Sequence, residues 1–274
     1  MKKLSIFLSF FFISIWSIKG QEIVYGSNGG KQITISGTKI YYEEYGSGMP
    51  LLLLHGGFGS IHDFQKVIPE LSKHFKVVAV DSPGHGRSEQ ANTLSFDLMT
   101  SYISEMIDLM HLDSVNVIGY SDGGIVGLLL ATQRPDKVKK VIVSGANSRM
   151  SGIKPEMLEF IKLINPEFIE KNQKEWLLDY QSKSPEKDKW KKYISDMTTM
   201  YSKEEIIEKE KLSQLSAKVL LVLGDRDVVL LEHGIELFRT IPGSLFCVLP
   251  NTPHEVFREN PDLINKIAID FLTK

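Results

Sequence analysis

The sequence is poor in cysteine and has no large excess of charge of either sign. Its 274 residues include a single cysteine, Cys247, and the formal net charge at pH 7 is −2. One thiol cannot form an internal disulfide, so a disulfide framework is excluded. The lack of a basic excess argues against nucleic acid as a partner. Cys247 lies in the apolar run SLFCVL, which predicts a buried strand residue rather than a nucleophile.

Sequence patterns that bind cofactors are also missing. The chain has no H-E-x-x-H, no paired C-x-x-C and no Walker loop, and its glycine-rich stretches do not match G-x-G-x-x-G before a helix. We therefore expect neither a metal nor an organic cofactor. The composition, 42% apolar and 24% charged, is that of a globular enzyme-sized protein with one large core and room for an inserted subdomain.

The N-terminal region has the pattern of an export signal. Residues 1–20 begin with Lys2 and Lys3, continue with an apolar stretch from Leu4 to Ile18, and end in a Lys-Gly pair. This order is typical of a secretory signal peptide. The apolar stretch is short for a membrane span, although an uncleaved anchor is the alternative. We expect cleavage after residue 20, secretion or a periplasmic location, and no stable membrane anchor.

Strand and helix patterns alternate along the rest of the chain. An alternating apolar and polar stretch over residues 31–46 predicts an antiparallel hairpin. Continuous apolar runs predict further strands, buried on both faces of a mostly parallel sheet, at 50–56, 75–81, 114–121, 137–146, 218–225 and 244–250. Helical patterns lie at 61–74, 94–112, 123–134, 231–241 and 255–272. This order predicts a doubly wound α/β architecture.

One long interval, residues 147–212, interrupts this alternation. It lacks a strand signal and contains several helical patterns, so we expect a helical insertion rather than a structureless loop. The insertion could cover a binding site, or it could serve assembly or structure alone. Its apolar side chains that could form a roof are Met150, Met157, Phe160, Trp176, Trp190, Tyr193, Met197 and Met200.

The hexapeptide GYSDGG, from Gly119 to Gly124, follows a predicted strand and precedes a predicted helix. G-x-S-x-G in this setting is the nucleophile-elbow pattern, in which a sharp turn exposes the serine hydroxyl. Glycines on both sides allow the strand and the helix to approach each other. The turn would place Ser121 at the carboxyl edge of the sheet, where α/β proteins bind ligands. A plain glycine-rich turn is the alternative, but the context favours a nucleophile.

A serine nucleophile needs a base and an orienting acid, which follow the elbow in the order acid, then histidine. Only His233 and His254 come after Ser121. His254 directly follows the last predicted strand and is our predicted base. His233 lies within a helical pattern and is expected to face solvent or pack locally. Of the two acids in VLGDRD, Asp227 is predicted to orient the histidine, and Asp225 to brace the turn.

The tetrahedral intermediate needs two backbone donors near the serine. The glycine-rich stretch HGGFGS ends a strand, and its Gly57 N–H together with the Asp122 N–H forms our predicted oxyanion hole. The Phe58 N–H is the reserve candidate, and Phe58 is also a candidate substrate contact. His55 is expected to hold this loop by a hydrogen bond rather than to catalyse.

Asp122 is unusual as an acid beside a nucleophile, and two interpretations stay open. Its carboxylate could simply interact with the dipole of the helix that it opens, which is worth about 0.3–1 kcal/mol. Alternatively, it could bind a cationic group of the substrate, such as the α-ammonium of an amino-acid ester.

The chain resembles the α/β-hydrolase fold superfamily over residues 33–272. The blocks HGGFGS, DSPGHGRSE, GYSDGG, GDRD and PHEVFRENPDLINKIAIDFL match the family's blocks in order. GYSDGG followed by GDRDVVLLEH is most similar to valacyclovir-hydrolase-like serine esterases. The resemblance implies an eight-stranded, mostly parallel sheet with helices on both faces. Residues 21–146 and 213–274 would form the core, and 147–212 a helical lid. Pro253, where the family often has glycine, leaves the shape of the loop before the histidine open.

These observations together predict a metal-free serine hydrolase of small carboxylic esters, amino-acid esters among them, that works through Ser121, Asp227 and His254 and an acyl-enzyme intermediate. Its expected partner is a small-molecule ester. Three alternatives remain at this point: a prolyl-type aminopeptidase, a C–C bond hydrolase of the same fold, and a small-molecule receptor that keeps the pocket without turnover.

Overall fold

The computed structural model describes residues 23–274. The predicted signal peptide lies outside these residues, and so do the first two positions of the predicted core. Within the described residues, no helix combines the length and the apolar character that a membrane crossing requires.

The predicted eight-stranded, mostly parallel sheet is confirmed. Its strands lie in the order β1-β2-β4-β3-β5-β6-β7-β8. The first two strands form the predicted hairpin, because Ser36 and Gly37 both adopt the positive φ angles that a two-residue turn requires. β1 and β2 pair antiparallel, as do β2 and β4, and every other neighbouring pair is parallel. The strands are β1 (Lys31–Ile35), β2 (Thr38–Tyr45), β3 (Pro50–Leu54), β4 (Lys76–Val80), β5 (Val115–Tyr120), β6 (Val138–Ser144), β7 (Lys218–Gly224) and β8 (Leu245–Leu249).

Helices cover both faces of the sheet. In chain order they are α1 (Ile68–Leu71), α2 (Phe96–Leu109), α3 (Asp122–Gln133), α4 (Pro155–Leu163), α5 (Pro166–Asn172), α6 (Lys174–Lys183), α7 (Trp190–Met200), α8 (Lys209–Ser213), α9 (Leu231–Thr240), α10 (Val256–Glu259) and α11 (Pro261–Thr273). Successive strand residues point to opposite faces. Accordingly, Leu52 and Leu54 pack in the core that contains α2 and α3, whereas Leu51 and Leu53 pack in the core that contains α1 and α11.

Three local predictions need correction. The helix predicted over 61–74 is two short pieces, a 3-10 turn at Ile61–Phe64 and α1. The helix predicted over 255–272 is divided into α10 and α11, because Pro261 begins a new helix and lacks the N–H that would continue the first one. Cys247 lies in β8 as predicted, but it is half-buried rather than buried, because β8 pairs with a neighbour on one side alone.

Residues 145–217, all of them described, contain helices and no named strand. Two segments of this stretch, 148–150 and 204–207, lie side by side. The Ser148 carbonyl accepts hydrogen bonds from the N–H groups of Ile206 and Ile207, at 2.9 and 3.0 Å. Near them, the Met150 N–H donates to the Glu204 carbonyl at 2.8 Å. The chain between residues 150 and 204 therefore begins and ends at neighbouring positions, beyond the carboxyl end of β6.

Candidate active site

Ser121 lies at a sharp turn between β5 and α3. Its backbone has φ 52° and ψ −119°, a conformation that costs a residue with a Cβ about 1–3 kcal/mol. A Cβ on Gly119 would lie 2.2 Å from the Gly123 carbonyl oxygen, and a Cβ on Gly123 would lie 2.0 Å from the carbonyl oxygen of Leu54. Only glycine fits at these two positions, so the spacing of the motif follows from the close contact between strand and helix.

The three residues predicted as a triad are in hydrogen-bond contact. The His254 Nε2 atom lies 3.0 Å from Ser121 Oγ. On the other side of the ring, His254 Nδ1 lies 2.7 Å from Asp227 Oδ1. The Val229 N–H donates to the same carboxylate oxygen at 3.0 Å, so the Asp227 carboxylate is held by the backbone as well as by the imidazole. With Nδ1 donating to Asp227, Nε2 is free to accept the serine proton.

The electrostatic surroundings favour a charged imidazole. Burial by itself lowers the pKa of His254, but the hydrogen bond and the negative charge of Asp227 outweigh it and raise the pKa above its ordinary value near 6.5. Asp227 is 2% exposed, so little water screens this pair. The arrangement stabilises the imidazolium that forms when histidine takes a proton from serine.

The neighbouring acid and histidines have other contacts. Asp225 accepts a hydrogen bond from the Thr252 N–H at 3.0 Å, and backbone hydrogen bonds from Asn251 and Thr252 lower its pKa, so it braces the turn that presents His254. His233 is buried and packs locally: its Nε2 accepts from the Ser148 N–H at 3.0 Å. His55 Nε2 accepts from the Ser82 N–H at 3.0 Å and holds the loop after β3.

The predicted oxyanion residues Gly57 and Asp122 line the same cavity as Ser121 and His254, and Phe58 lines it too. A Cβ on Gly57 would lie 2.1 Å from the Tyr201 hydroxyl and 2.5 Å from Asp122 Oδ2. Glycine is therefore needed here for side-chain packing as well as for the loop. The Phe58 carbonyl accepts a hydrogen bond from Trp176 Nε1 at 3.0 Å, which ties this loop to α6.

Tyr201 is the site residue that sequence reasoning missed. It follows α7, and its hydroxyl donates to Asp122 Oδ2 at 2.7 Å. Asp122 is 5% exposed, and burial raises its pKa to about 6, although the Tyr201 hydrogen bond and the charge of His254 act to lower it. A lone tyrosine at the end of a helical pattern carries no signal that would have identified this contact.

The cavity has a volume of about 310 Å³ and is mostly apolar. Its charged or titratable members are Tyr120, Asp122, Tyr201, His254 and Glu255. Among residues 23–274, no group of three or more His, Cys, Asp and Glu side chains could hold a metal ion. The other lining residues, apolar apart from Asn147 and the glycines, are Phe58, Phe96, Ile125, Met150, Ile153, Met157, Phe160, Ile161, Ile164, Ile206, Val228 and Val229, with Gly56, Gly57, Gly145 and Asn147.

Only some of the predicted roof residues line the cavity. Met150, Met157 and Phe160 line the cavity. Four others of the predicted roof residues are buried in the larger core cluster, namely Trp190, Tyr193, Met197 and Met200. These four side chains therefore contribute to the core, and none of them lines the cavity. By contrast, α4 contains no buried residue, although several of its side chains face the cavity.

Comparison with known proteins identifies the same fold. A family model described as alpha/beta hydrolase fold matches residues 49–172. An uncharacterized hydrolase, YugF, from Bacillus subtilis is 26% identical over 265 residues, which cover 88% of this chain and 97% of that protein. The human serine hydrolase BPHL is 27% identical over 251 residues, covering 88% of this chain and 85% of that protein.

A solved structure agrees in architecture. The meta-cleavage product hydrolase from Pseudomonas fluorescens superposes with a TM-score of 0.73 over 89% of this chain and 97% of that chain, at 20% identity. Likeness at this identity supports the fold alone. The family match, the full-length relatives and the eight-stranded sheet agree, and the chain is a hydrolase that belongs to the α/β-hydrolase superfamily.

Proposed function

We propose that the protein is a serine hydrolase that cleaves small carboxylic esters through a covalent acyl-enzyme. One observation carries the proposal: the hydrogen bonds from Ser121 Oγ to His254 Nε2, at 3.0 Å, and from His254 Nδ1 to Asp227 Oδ1, at 2.7 Å. An alcohol activated by an oriented imidazole is the arrangement that acyl transfer requires. It lies at the wall of a largely apolar cavity of a size that suits a small ligand.

The reaction takes two steps. Ser121 Oγ attacks the ester carbonyl while its proton passes to His254 Nε2, and the resulting imidazolium is stabilised by Asp227. The backbone N–H groups of Gly57 and Asp122 would stabilise the oxyanion. His254 then gives the proton to the departing alcohol, which leaves an acyl ester on Ser121. In the second step a water molecule loses its proton to His254 and hydrolyses that ester, so the free acid is released and the serine is restored.

The cavity suits a substrate with a cationic group, such as an amino-acid ester. Asp122 presents a carboxylate at the cavity, and no lysine or arginine of residues 23–274 forms an ion pair with it. A unit charge 4 Å from that carboxylate gains about 4 kcal/mol at an effective dielectric of 20, against roughly 1 kcal/mol in water. The remaining lining is apolar and suits the side chain of the acyl group or a small alcohol.

Residues 147–212 are proposed to act as a lid that selects substrates. The support is that α4 and the ends of this stretch supply Met150, Met157, Phe160 and Tyr201 to the cavity. Replacement of 147–212 by a short linker is expected to widen acceptance of bulky esters and to lower turnover of the best small one. Unchanged selectivity in a folded deletion variant would assign the stretch to structure or assembly.

Substitutions test the chemistry. Ser121→Ala and His254→Ala should each lower kcat by several orders of magnitude, and the double variant should lose no more, because the two residues act as one unit. A fluorophosphonate should label the unsubstituted protein, and Ser121→Ala should abolish this labelling. A non-catalytic receptor would not be labelled even without the substitution. More than a tenth of the activity in either single variant would contradict the assignment. Ser213→Ala, at an exposed position of helix α8, is the control for serine replacement.

A panel of esters, N-terminal prolyl amides and vinylogous diketones separates the proposed esterase from the aminopeptidase and the C–C bond hydrolase. Asp122→Asn should lower kcat/KM for an amino-acid ester by about 5-fold to several hundred-fold. It should leave a neutral ester of equal size nearly unaffected, because the backbone donor remains. Equal losses on both substrates would indicate a damaged turn instead of a lost cation site.

Export through residues 1–20 remains our proposal for localisation, supported by the two lysines and the apolar stretch that follows them. Expression of the full chain in a bacterial host and N-terminal sequencing of the protein recovered outside the cytoplasm should give a chain that begins at residue 21. A full-length chain retained in the cytoplasm would contradict it.

A further inference from the structure

The Asp122 carboxylate accepts a hydrogen bond from Tyr201, a residue of the proposed helical lid. Tyr201 donates its hydroxyl to Asp122 Oδ2 at 2.7 Å, and this is the hydrogen-bond partner that the structure gives that side chain. A Cβ on Gly57 would strike both ends of the contact, at 2.1 Å from the Tyr201 hydroxyl and 2.5 Å from Asp122 Oδ2. The insertion, the nucleophile turn and the loop after β3 therefore meet at this one hydrogen bond.

The contact occupies half of the carboxylate. A carboxylate has two oxygens that can each accept hydrogen bonds, and a phenol donates one. Tyr201 engages Oδ2, which leaves Oδ1 for a ligand. The Tyr201 ring is fixed by its neighbours, with its centroid 6.3 Å from that of Phe58 and 6.5 Å from that of Phe96. Packing of the ring thus sets the position of the Tyr201 hydroxyl, and the hydrogen bond from this hydroxyl orients the Asp122 carboxylate.

We infer that Tyr201 is a positioning residue, which keeps the Asp122 carboxylate ionised and turned so that one oxygen receives the ammonium group of the substrate. The cation site is then shared between the nucleophile turn and the insertion, and it is complete only when the insertion is seated. This inference rests on the proposed function, since it assigns the origin of the preference for cationic esters.

Charge accounting supports the role. The groups that act on Asp122 are Tyr201 and Tyr193 from the insertion and His254 from the loop after β8. Burial raises the pKa of Asp122 to about 6, and the Tyr201 hydrogen bond is the largest effect that opposes it. Burial and the nearby Asp122 charge raise the pKa of Tyr201 well above its ordinary value, so the phenol remains a donor. Loss of the phenol hydroxyl should therefore raise the pKa of Asp122 further.

The measurement is the pH dependence of a substrate preference. kcat/KM is determined for an L-valine ester and for the matching 2,3-dimethylbutanoate ester, in which a methyl group replaces the ammonium group. Titration of His254 affects both substrates and cancels in their ratio. Titration of the substrate amine is the same for every variant and cancels when variants are compared. What remains is the ionisation of Asp122.

In the unsubstituted protein, preference for the valine ester should fall as the pH drops through the Asp122 pKa, because a protonated carboxyl has no charge to attract the cation. Tyr201→Phe should move this fall to higher pH, which lowers the preference on the acid side by about tenfold for each unit that the pKa rises. Tyr180→Phe is the matched control: its hydroxyl binds Gln90 Nε2 at 3.0 Å, away from the cavity, and its pH dependence should equal that of the unsubstituted protein.

Further results test the inference. In an Asp122→Asn background, Tyr201→Phe should cause no additional loss of preference, because its effect passes through Asp122. Replacement of Tyr201 by 3-fluorotyrosine, which keeps the shape and strengthens the donor, should move the fall to lower pH. A loss in Tyr201→Phe that is equal for both esters, or a fall at unchanged pH, would overturn the inference while the ammonium site stands. Preference that survives Asp122→Asn would overturn the ammonium site and this inference together, whereas the serine chemistry would still be judged by Ser121→Ala.

Discussion

Strain at Ser121, the proposed nucleophile, predicts a difference in stability between two variants that should both be inactive. Ser121 adopts φ 52° and ψ −119°, which glycine adopts freely and residues with a Cβ adopt at a cost. Ser121→Gly and Ser121→Ala both remove the hydroxyl and its contact with His254. They differ in the Cβ alone, so their difference in stability reports the backbone strain.

The magnitude follows from two opposing effects. Relief of the strain is worth about 1–3 kcal/mol. Glycine also loses more backbone entropy on folding than alanine does, which costs about 0.5–1 kcal/mol. Ser121→Gly should therefore be more stable than Ser121→Ala by up to about 2.5 kcal/mol, which at roughly 2–4 °C per kcal/mol corresponds to a Tm higher by up to about 10 °C.

Thermal melting and urea unfolding of the two variants, side by side, provide the measurement, and both variants should lack esterase activity. The two variants should rank in the same order by Tm and by urea midpoint, because irreversible melting could distort the Tm alone. The reasoning is refuted if Ser121→Gly melts below the temperature of Ser121→Ala, because relief of strain would then not offset the entropy cost of glycine.

Three more outcomes are expected. With a neutral ester, kcat/KM should rise with pH through the raised pKa of His254, by about tenfold per unit below it, and then level off; a rate that is flat from about pH 5 to 9 would argue against a histidine base. Asp227→Asn should lower kcat by about ten-thousand-fold, whereas Asp225→Asn should leave it nearly unchanged; the reverse order in the same assay would exchange their roles. Gly123→Ala should destabilise the fold by about 1–3 kcal/mol in urea unfolding, because its Cβ would lie 2.0 Å from the Leu54 carbonyl oxygen. Gly127→Ala is the milder control, since its Cβ would lie 3.2 Å from Val117 Cγ1.

The parts of the site that the sequence predicts are those encoded by neighbouring residues. The conformation at Ser121 depends on glycines two residues away on either side, and the histidine and acid each follow the end of a strand. Strand ends of a parallel sheet meet at one edge, so short local patterns bring Ser121, Asp227 and His254 into range without any knowledge of packing.

Contacts between distant segments were out of reach. Tyr201 and Asp122 are 79 positions apart, and their hydrogen bond depends on how residues 145–217 pack against the rest of the chain. The predicted roof residues show the same limit of prediction from sequence. Met157 lines the cavity and Met197 lies in the core, yet both are methionines within helical patterns. Apolar periodicity indicates which face of a helix is covered, and it does not distinguish coverage by protein from coverage by a ligand cavity.

Helix α4 separates the demands of folding from those of recognition. None of its residues is buried, although Met157, Phe160 and Ile161 line the cavity. Replacement of a partly exposed side chain costs a protein much less stability than replacement in the core. The three positions can therefore accept mutations that the glycines around Ser121 would not tolerate. Directed evolution of new acyl specificities could begin there, because a library randomised at 157, 160 and 161 should retain a high proportion of folded members.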